Sequence, residues 1–271
     1  MREIDIVELK EISLKILDKV HEFCMQNEIK YYLSYGTLIG AIRHKGYIPW
    51  DDDIDIIMPR PDYDKFISTF NGCYSHLEVF APELNPQFYM PYANVCDNRT
   101  FLDEGIDSHH GIEMGVKIDI FPIDGVPCND YTFNRLTKKI NKLRWMLWKK
   151  KQSIIETYKY RGIKCAFKQF ISSVILLPYT YSNIQKEIRL LATSYNYEES
   201  NVVDVIVFNL NGDTRVPKQI IKDGILVNFE GRKFCAMKEY DYFLRTIYGD
   251  YMQLPPVEKR IAKHNFTAYW K

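Results

Sequence analysis

Apolar residues near the N-terminus recur at helical intervals, and further along they alternate with polar residues. The first pattern predicts a helix over residues 5–26. A short strand is expected over residues 31–35, one or two helical turns over residues 38–43, and a second strand over residues 53–58. The second strand is expected to be part of a sheet.

That second strand has two chemically opposite faces. Side chains alternate sides along a strand, so Ile54, Ile56 and Met58 share the face that enters the core. Asp53 and Asp55 then share the other face. Because the apolar face fixes the strand in a sheet, we expect the two carboxylates to be held rigidly.

The rest of the chain predicts a mixture of strands and helices, with a shift toward helices near residue 127. A later strand resembles the one at residues 53–58, because its apolar residues share one face and Asp119 lies on the other. Residues 170–177 form the longest apolar run, for which a buried helix is expected and a membrane-dipping segment is the alternative. The expected elements are a helix from residue 61 to 70, short strands within 72–104, a strand at 116–121, helices within 131–157 and 164–197, strands at 202–208 and 225–235, and a helix at 239–248.

Composition describes an ordinary globular chain. Of the 271 residues, 46% are apolar and 26% are charged, and the formal net charge is +1. None of the six cysteines forms a C-x-x-C pair, which argues against a zinc site and predicts free thiols in a reducing cytoplasm. The N-terminal pattern indicates an amphipathic helix rather than a signal peptide, and no apolar run reaches the ~20 residues of a membrane span. A cytoplasmic location is expected.

Four aspartates occur within five residues, at positions 51, 52, 53 and 55. Like charges this close raise one another's pKa values unless something positive binds them. Mg²⁺ prefers carboxylate oxygens and substrate phosphates as ligands, so Asp53 and Asp55 are predicted to bind magnesium, with Mn²⁺ as an alternative. Asp119 is the expected third carboxylate of a two-metal site, and Asp124 is its rival. For Asp51 and Asp52 a solvated turn is the alternative.

The residues before the aspartates predict a phosphate site. Gly36 and Thr37 follow the first strand, where a glycine lets the backbone approach an anion closely. Arg43, His44 and Lys45 could neutralise donor phosphates. The alternatives are an ordinary strand-to-helix turn and a solvated basic loop.

Residues 135–168 are strongly basic. They hold twelve Lys or Arg against one acid, Glu156, and include Trp145 and Trp148. A basic amphipathic helix with tryptophans suits an anionic membrane surface or an acidic polymer. A solvated helix face is the alternative, and nucleic acid is not expected as a partner because no recognised nucleic-acid module accompanies the charge.

Three stretches of this sequence resemble the motifs of the LicD family. Residues 32–56 read YLSYGTLIGAIRHKGYIPWDDDIDI, which is similar to that family's first motif, and residues 118–124 read IDIFPID, which is similar to the second. A third motif is matched by FEGR at 229–232 and YGDYMQLPP at 248–256, followed by His264. The resemblance extends over most of the chain and is weakest over residues 130–200.

The resemblance implies an α/β (α+β) fold of the nucleotidyltransferase type, a mixed sheet with flanking helices and a mainly helical C-terminal part. It implies a catalytic core over residues 1–127 and an acceptor-side or membrane-side region over residues 128–271, with one continuous domain as the alternative. Asp53 and Asp55 match the metal-binding pair, Asp119 the third carboxylate, and Gly36 with Thr37 the phosphate-side turn.

The implied activity is a Mg²⁺-dependent transfer of a phosphoalcohol such as phosphocholine. The donor is a CDP-activated alcohol, and the acceptor is a hydroxyl of a lipopolysaccharide, teichoic acid precursor or other glycan, including lipid-linked ones. The enzyme is then expected on the inner face of the cytoplasmic membrane. Two alternatives stay open: a glycosyltransferase that uses Asp-x-Asp with a nucleotide sugar, and a non-catalytic binding protein on the same fold.

Overall fold

A computed structural model describes residues 1–103, 112–209, 212–261 and 266–271. The α/β (α+β) class expected from the sequence is confirmed, since helices flank mixed sheets. The helices are α1 (Ile6–Gln26), α2 (Tyr35–Ile39), which continues as a π-helical turn (Gly40–His44), α3 (Arg60–Thr69), α4 (Asp130–Lys151), α5 (Ile154–Arg161), α6 (Ile163–Ile175), α7 (Tyr181–Ala192) and α8 (Tyr240–Tyr248), with 3-10 turns at Lys218–Ile221 and Val257–Lys259.

The central sheet has the strand order β2-β3-β7-β5-β4, and β8 and β9 extend it from the end of β7. Only β3 and β7 run parallel among these described pairs. The strands are β1 (Arg2–Ile4), β2 (Tyr32–Leu33), β3 (Asp55–Pro59), β4 (Leu77–Phe80), β5 (Ala93–Asp97), β6 (Thr100–Asp103), β7 (Lys117–Gly125), β8 (Val202–Asp204), β9 (Val216–Pro217), β10 (Gly224–Phe229), β11 (Arg232–Met237) and β12 (Thr267–Trp270).

The N-terminal helix α1 forms where the periodicity predicts it. Asp5 caps it by accepting a hydrogen bond from the Glu8 backbone N–H at 2.8 Å, which is half of a capping box. The Glu8 carboxylate does not complete the box, because it binds Arg2 and the Trp270 indole instead. Helix α1 therefore also ties down the sheet β1-β12-β6.

Strands β3 and β7 are buried on both faces at their centres. Ile54, Ile56 and Met58 are inaccessible to solvent, as the alternation predicts, but so is Ile57 on the opposite face. A parallel pair covered by helices on both sides has this uniform burial. Asp55 is the first residue of β3. It is only partly buried, so it lies at the edge of this buried region.

The division at residue 127 stays a prediction. Buried residues from both sides of it belong to one continuous core, including Phe121, Phe133, Val203 and Phe229. Strand β8 pairs with the end of β7, so residues beyond 200 return to the central sheet.

Candidate active site

A cavity of about 440 Å³ opens where β3 and β7 begin. Asp55 and Asp119 face one another as register partners on these neighbouring parallel strands. Asp53 lies just before β3 and lines the same cavity. The three carboxylates that the sequence predicts to act together are thus brought to one cavity.

The backbone around the aspartates is fixed from both sides. Ser34 N–H donates to the Asp55 carbonyl at 3.0 Å, and Asp119 N–H donates to the Ile54 carbonyl at 2.9 Å. The Thr37 hydroxyl accepts from Asp55 N–H at 2.8 Å. Each of these bonds removes backbone freedom at the point where charge accumulates, so the carboxylates keep their spacing.

The Thr37 hydroxyl is therefore occupied by the backbone, whereas the sequence predicted it to contact phosphate. Thr37 is buried, and it does not belong to the described residues that line the cavity. Gly36 does line it, and a Cβ at this position would overlap the Asp51 carboxylate. A side chain at position 36 would require the Asp51 carboxylate to move, because the acidic loop lies directly against the turn.

Thr37→Val should lower the free energy of unfolding by about 1–3 kcal/mol, because it leaves the Asp55 N–H without its acceptor. Thr37→Ser keeps the hydroxyl and should stay close to the wild type. Urea unfolding of both variants provides the measurement. Equal stability of the valine and serine variants would show that the hydroxyl does not hold Asp55.

Asp51, Asp52 and Asp53 form the closest carboxylate group in the described part of the chain. One oxygen from each lies within 4.8 Å of the others, a spacing that could hold a metal ion. The predicted trio of Asp53, Asp55 and Asp119 shares the cavity but is not gathered that tightly. The acidic turn thus brings the carboxylates of Asp51 and Asp53 to the cavity, and Asp52 is buried.

Neighbouring polar groups position Asp119. The Asn94 side-chain amide donates to one of its oxygens, and the Tyr92 hydroxyl donates to the other at 3.3 Å. Burial and the negative charge of Asp119 raise the pKa of Tyr92 well above its usual value, so this hydroxyl keeps its proton and stays a donor.

Asp124, the rival for the third carboxylate, has a different environment. It is buried and accepts two hydrogen bonds from Arg60, at 2.6 and 2.8 Å. Arg60 is also buried, at the first position of α3. The pair joins α3 to β7. Asp124 does not belong to the described residues that line the cavity.

The basic residues predicted to bind phosphate are turned elsewhere. Arg43 donates to the carbonyls of Tyr251 and Gln253, and to the His44 ring at 2.9 Å. Lys45 donates to the Ile42 carbonyl at 3.1 Å. In the described part of the chain these three do not line the cavity. Arg43 alone of the three holds the loop that follows Tyr248.

Part of the third motif supports the loop that precedes the acidic turn. The turn between β10 and β11 places the Glu230 carboxylate on the Tyr47 N–H at 2.9 Å, and Glu230 N–H donates to the Lys45 carbonyl at 3.0 Å. Tyr248, from the same motif, lines the cavity. Burial and the charges of Asp55, Asp51 and Asp53 raise the pKa of the Tyr248 hydroxyl. His264 lies outside the described residues.

Aromatic rings form another part of the cavity wall. Tyr92 and Phe121 lie 4.3 Å apart between ring centroids, and Phe121 and Phe208 lie 4.8 Å apart. Tyr35 meets Phe121 edge-on at 5.5 Å. Tyr35 has a φ of 45°, a left-handed conformation that is costly for a residue with a side chain. Packing of the Tyr35 ring against Phe121 offsets part of this cost.

A fifth carboxylate, Asp204, enters the cavity from β8. It accepts hydrogen bonds from the Asn209 side chain at 2.7 Å and the Thr214 hydroxyl at 2.8 Å. Burial raises its pKa from 3.8 to about 6, and these hydrogen bonds limit the rise. Sequence analysis missed it, although an acid inside the apolar run Val202–Val207 was a usable signal.

Asp204→Asn should change the pH dependence of stability. The folded pKa of Asp204 lies above its unfolded value, so the folded state holds more protons between about pH 4 and 6, and stability falls as pH rises through this window. Asparagine does not titrate, so the variant does not lose stability in this way. Its free energy of unfolding, taken relative to the wild type, should therefore rise by ~3 kcal/mol as the pH goes from about 4 to 6. Urea unfolding at both ends of the window measures it, and a constant difference would contradict the raised pKa.

The cavity is negative throughout. Five aspartates line it, and within the described ranges no Lys, Arg or His does. The sequence-distant groups Asp204, Phe208 and Tyr248 complete a wall begun by β3 and β7. A carboxylate-lined cavity of this kind, at the edge of a mixed sheet, is suited to binding cations together with a ligand that carries phosphate.

Comparison with known proteins places this site in a family. Residues 28–174 match the model described as "LicD/FKTN/FKRP, nucleotidyltransferase domain". The chain is also similar to the lipopolysaccharide cholinephosphotransferase LicD of Haemophilus influenzae, with 31% identity over 99% of both chains. The protein belongs to the LicD family, and the resemblance inferred from its motifs is confirmed.

Two further relatives match a shorter part of the chain. An uncharacterized protein of Rickettsia typhi is 50% identical over 98 residues, which is 36% of this chain and 27% of the relative. One of Rickettsia prowazekii is 50% identical over 103 residues, or 35% and 33% of the two chains.

Proposed function

We propose that this protein is a Mg²⁺-dependent transferase that moves phosphocholine from CDP-choline to a hydroxyl of a cell-surface glycan. The observation that carries the proposal is the cavity with five carboxylates, an aromatic wall and no basic residue among its described lining. Such a cavity favours cationic ligands, here a metal ion and a quaternary ammonium group. The name of the Haemophilus relative supports the same choice of group and a lipopolysaccharide acceptor.

The residues present fit a metal ion. Asp51 and Asp53 from the acidic turn, with Asp55 and Asp119 from the strands, supply the carboxylate oxygens that Mg²⁺ prefers. When bound, Mg²⁺ neutralises the donor's diphosphate and the charge that develops on its oxygens during transfer. Because the cavity wall offers no described Lys or Arg for that task, we expect an absolute metal requirement.

Asp119 is suited to act as the general base. The acceptor hydroxyl gives its proton to the Asp119 carboxylate, and its oxygen attacks the phosphorus that carries choline. The bond between this phosphorus and the bridging oxygen breaks, and CMP leaves with that oxygen. Asn94 and Tyr92 keep Asp119 oriented throughout, since both donate to it.

The aromatic wall and Asp204 are suited to the choline headgroup. Quaternary ammonium groups bind against ring faces through the negative charge of the π system, and a nearby carboxylate strengthens that attraction. Phe121, Phe208 and Tyr92 form the wall, and Asp204 lines the same cavity. An uncharged alcohol such as ribitol or glycerol gains less from these groups.

A donor screen tests the proposal. The protein is incubated with Mg²⁺ and CDP-choline, CDP-glycerol, CDP-ribitol or a UDP-sugar, with lipopolysaccharide as acceptor, and the released nucleotide is identified by mass spectrometry. We expect CMP from CDP-choline, and Asp204→Asn should reduce the preference for choline over glycerol by about tenfold. Asp223→Asn, an exposed carboxylate outside the cavity, is the matched control.

Three outcomes would contradict the proposal. Release of UDP would favour the glycosyltransferase alternative. Equal use of CDP-choline and CDP-glycerol would remove the headgroup assignment. Binding of CDP-choline with no turnover on any acceptor would favour a non-catalytic binding protein.

A further inference from the structure

Helix α6 turns its apolar stripe toward solvent. Ile163, Phe167, Phe170, Ile171 and Val174 recur at the spacing of one helix face, yet Ile163 is 72% exposed and Phe167 is 63% exposed. An amphipathic helix on a water-soluble protein normally places this stripe in the core. The buried helix expected at residues 170–177 is therefore wrong, although Leu176 at its end is buried.

The side of α6 that packs against the protein is polar and specifically bonded. The Gln169 amide, which is 1% exposed, donates to the carbonyls of Lys149 at 2.7 Å and Gln152 at 2.8 Å. Ala166 is buried beside it. These contacts anchor α6 to the end of α4 and fix the rotation of the helix, so the outward stripe is a built feature.

Helix α5 extends this apolar face. It packs against α6 through a turn at Gly162, whose φ of 79° favours glycine. Ile155, Tyr158 and Tyr160 of α5 are also exposed. Exposed apolar clusters on two adjoining helices mark an interaction surface.

The α5–α6 hairpin, residues 154–175, is also basic. Lys159, Arg161, Lys164 and Lys168 are exposed on it, and Glu156 is the only acid in its sequence. Positive charge around an apolar stripe is complementary to a negatively charged lipid surface. It is less suited to a second copy of this hairpin, because like charges would then face each other.

We propose that the α5–α6 hairpin docks on an anionic membrane surface, with the α6 stripe at the boundary between headgroups and acyl chains. Within the described ranges, no helix has both the length and the apolar character needed to cross a bilayer, so docking is peripheral. Within the basic segment at residues 135–168, this assigns the membrane contact to the hairpin, because the apolar stripe of α4, including Ile140 and Leu147, lies in the core. The inference does not depend on which group the cavity transfers.

Vesicle flotation tests the docking face. At low salt the wild type should float with vesicles of phosphatidylcholine and phosphatidylglycerol, and much less with phosphatidylcholine alone. Phe167→Asp with Val174→Asp should weaken binding by at least about tenfold, since each change places a charge in the lipid boundary. Leu190→Asp, at an equally exposed apolar residue of α7, is the matched control and should bind like the wild type.

Further measurements distinguish membrane docking from misfolding and from dimerisation. Lys164→Glu with Lys168→Glu should remove the preference for anionic vesicles. Circular dichroism verifies that each variant is folded, and sedimentation velocity determines its oligomeric state. The proposal is overturned if the wild type does not float at low salt, if the aspartate variants float equally well, or if the wild type is a dimer that those variants dissociate without any vesicle binding.

Discussion

Asp53→Asn should lower the rate of CMP release from CDP-choline by about a thousandfold or more. Asp53 belongs both to the acidic turn, where three carboxylate oxygens lie within 4.8 Å, and to the cavity wall with Asp55 and Asp119. Removing its charge therefore weakens the whole cation site. An initial-rate assay with saturating Mg²⁺ measures the loss.

The melting temperature of the same variant distinguishes a loss of metal binding from a loss of folding. In EDTA the asparagine relieves repulsion between adjacent carboxylates, so the melting temperature should equal or exceed that of the wild type. Added Mg²⁺ should then raise the wild-type melting temperature more than that of the variant, because a ligand stabilises only the state that binds it. Asp223→Asn should match the wild type in both assays. Near-normal turnover of Asp53→Asn would overturn the metal assignment.

Arg60→Met should cost about 3–5 kcal/mol in the free energy of unfolding. It leaves the Asp124 carboxylate buried without the two hydrogen bonds that Arg60 now donates, at 2.6 and 2.8 Å. Chemical denaturation measures the loss. The double variant Arg60→Met/Asp124→Leu should recover most of it, because neither buried charge then remains.

The double variant also decides between the two candidates for the third carboxylate. If Asp124 only joins α3 to β7, the double variant retains CMP release while Asp119→Asn loses it. If the double variant is stable but inactive, Asp124 takes part in catalysis and Asp119 loses its assigned role.

The parts of the fold that sequence alone predicts are those determined by local periodicity. Helix α1 and strand β7 appear where spacing places them, and β3 begins at Asp55, with Asp53 just before it. Asp55 and Asp119 meet because both stand on strands with a strongly apolar opposite face, which leaves little freedom in how those strands enter a sheet.

The rest of the site depends on contacts that periodicity does not encode. Asp204 and Phe208 reach the cavity only because β8 pairs with the end of β7, a contact between distant segments. Arg43 next to an acidic motif suggests phosphate binding, yet it satisfies backbone carbonyls of another loop. The sequence shows that α6 is amphipathic. The direction in which its apolar stripe faces is set by the buried amide of Gln169.

The pairing of β8 with the end of β7 has a consequence for biosynthesis. The carboxylates of residues 51–119 emerge from the ribosome well before Asp204, Phe208 and Tyr248. A nascent chain that stops short of residue 200 has these carboxylates together with Tyr92 and Phe121, but it lacks Asp204, Phe208 and Tyr248. If the cavity has the proposed function, it is complete only late in translation, after the basic α5–α6 hairpin has been made.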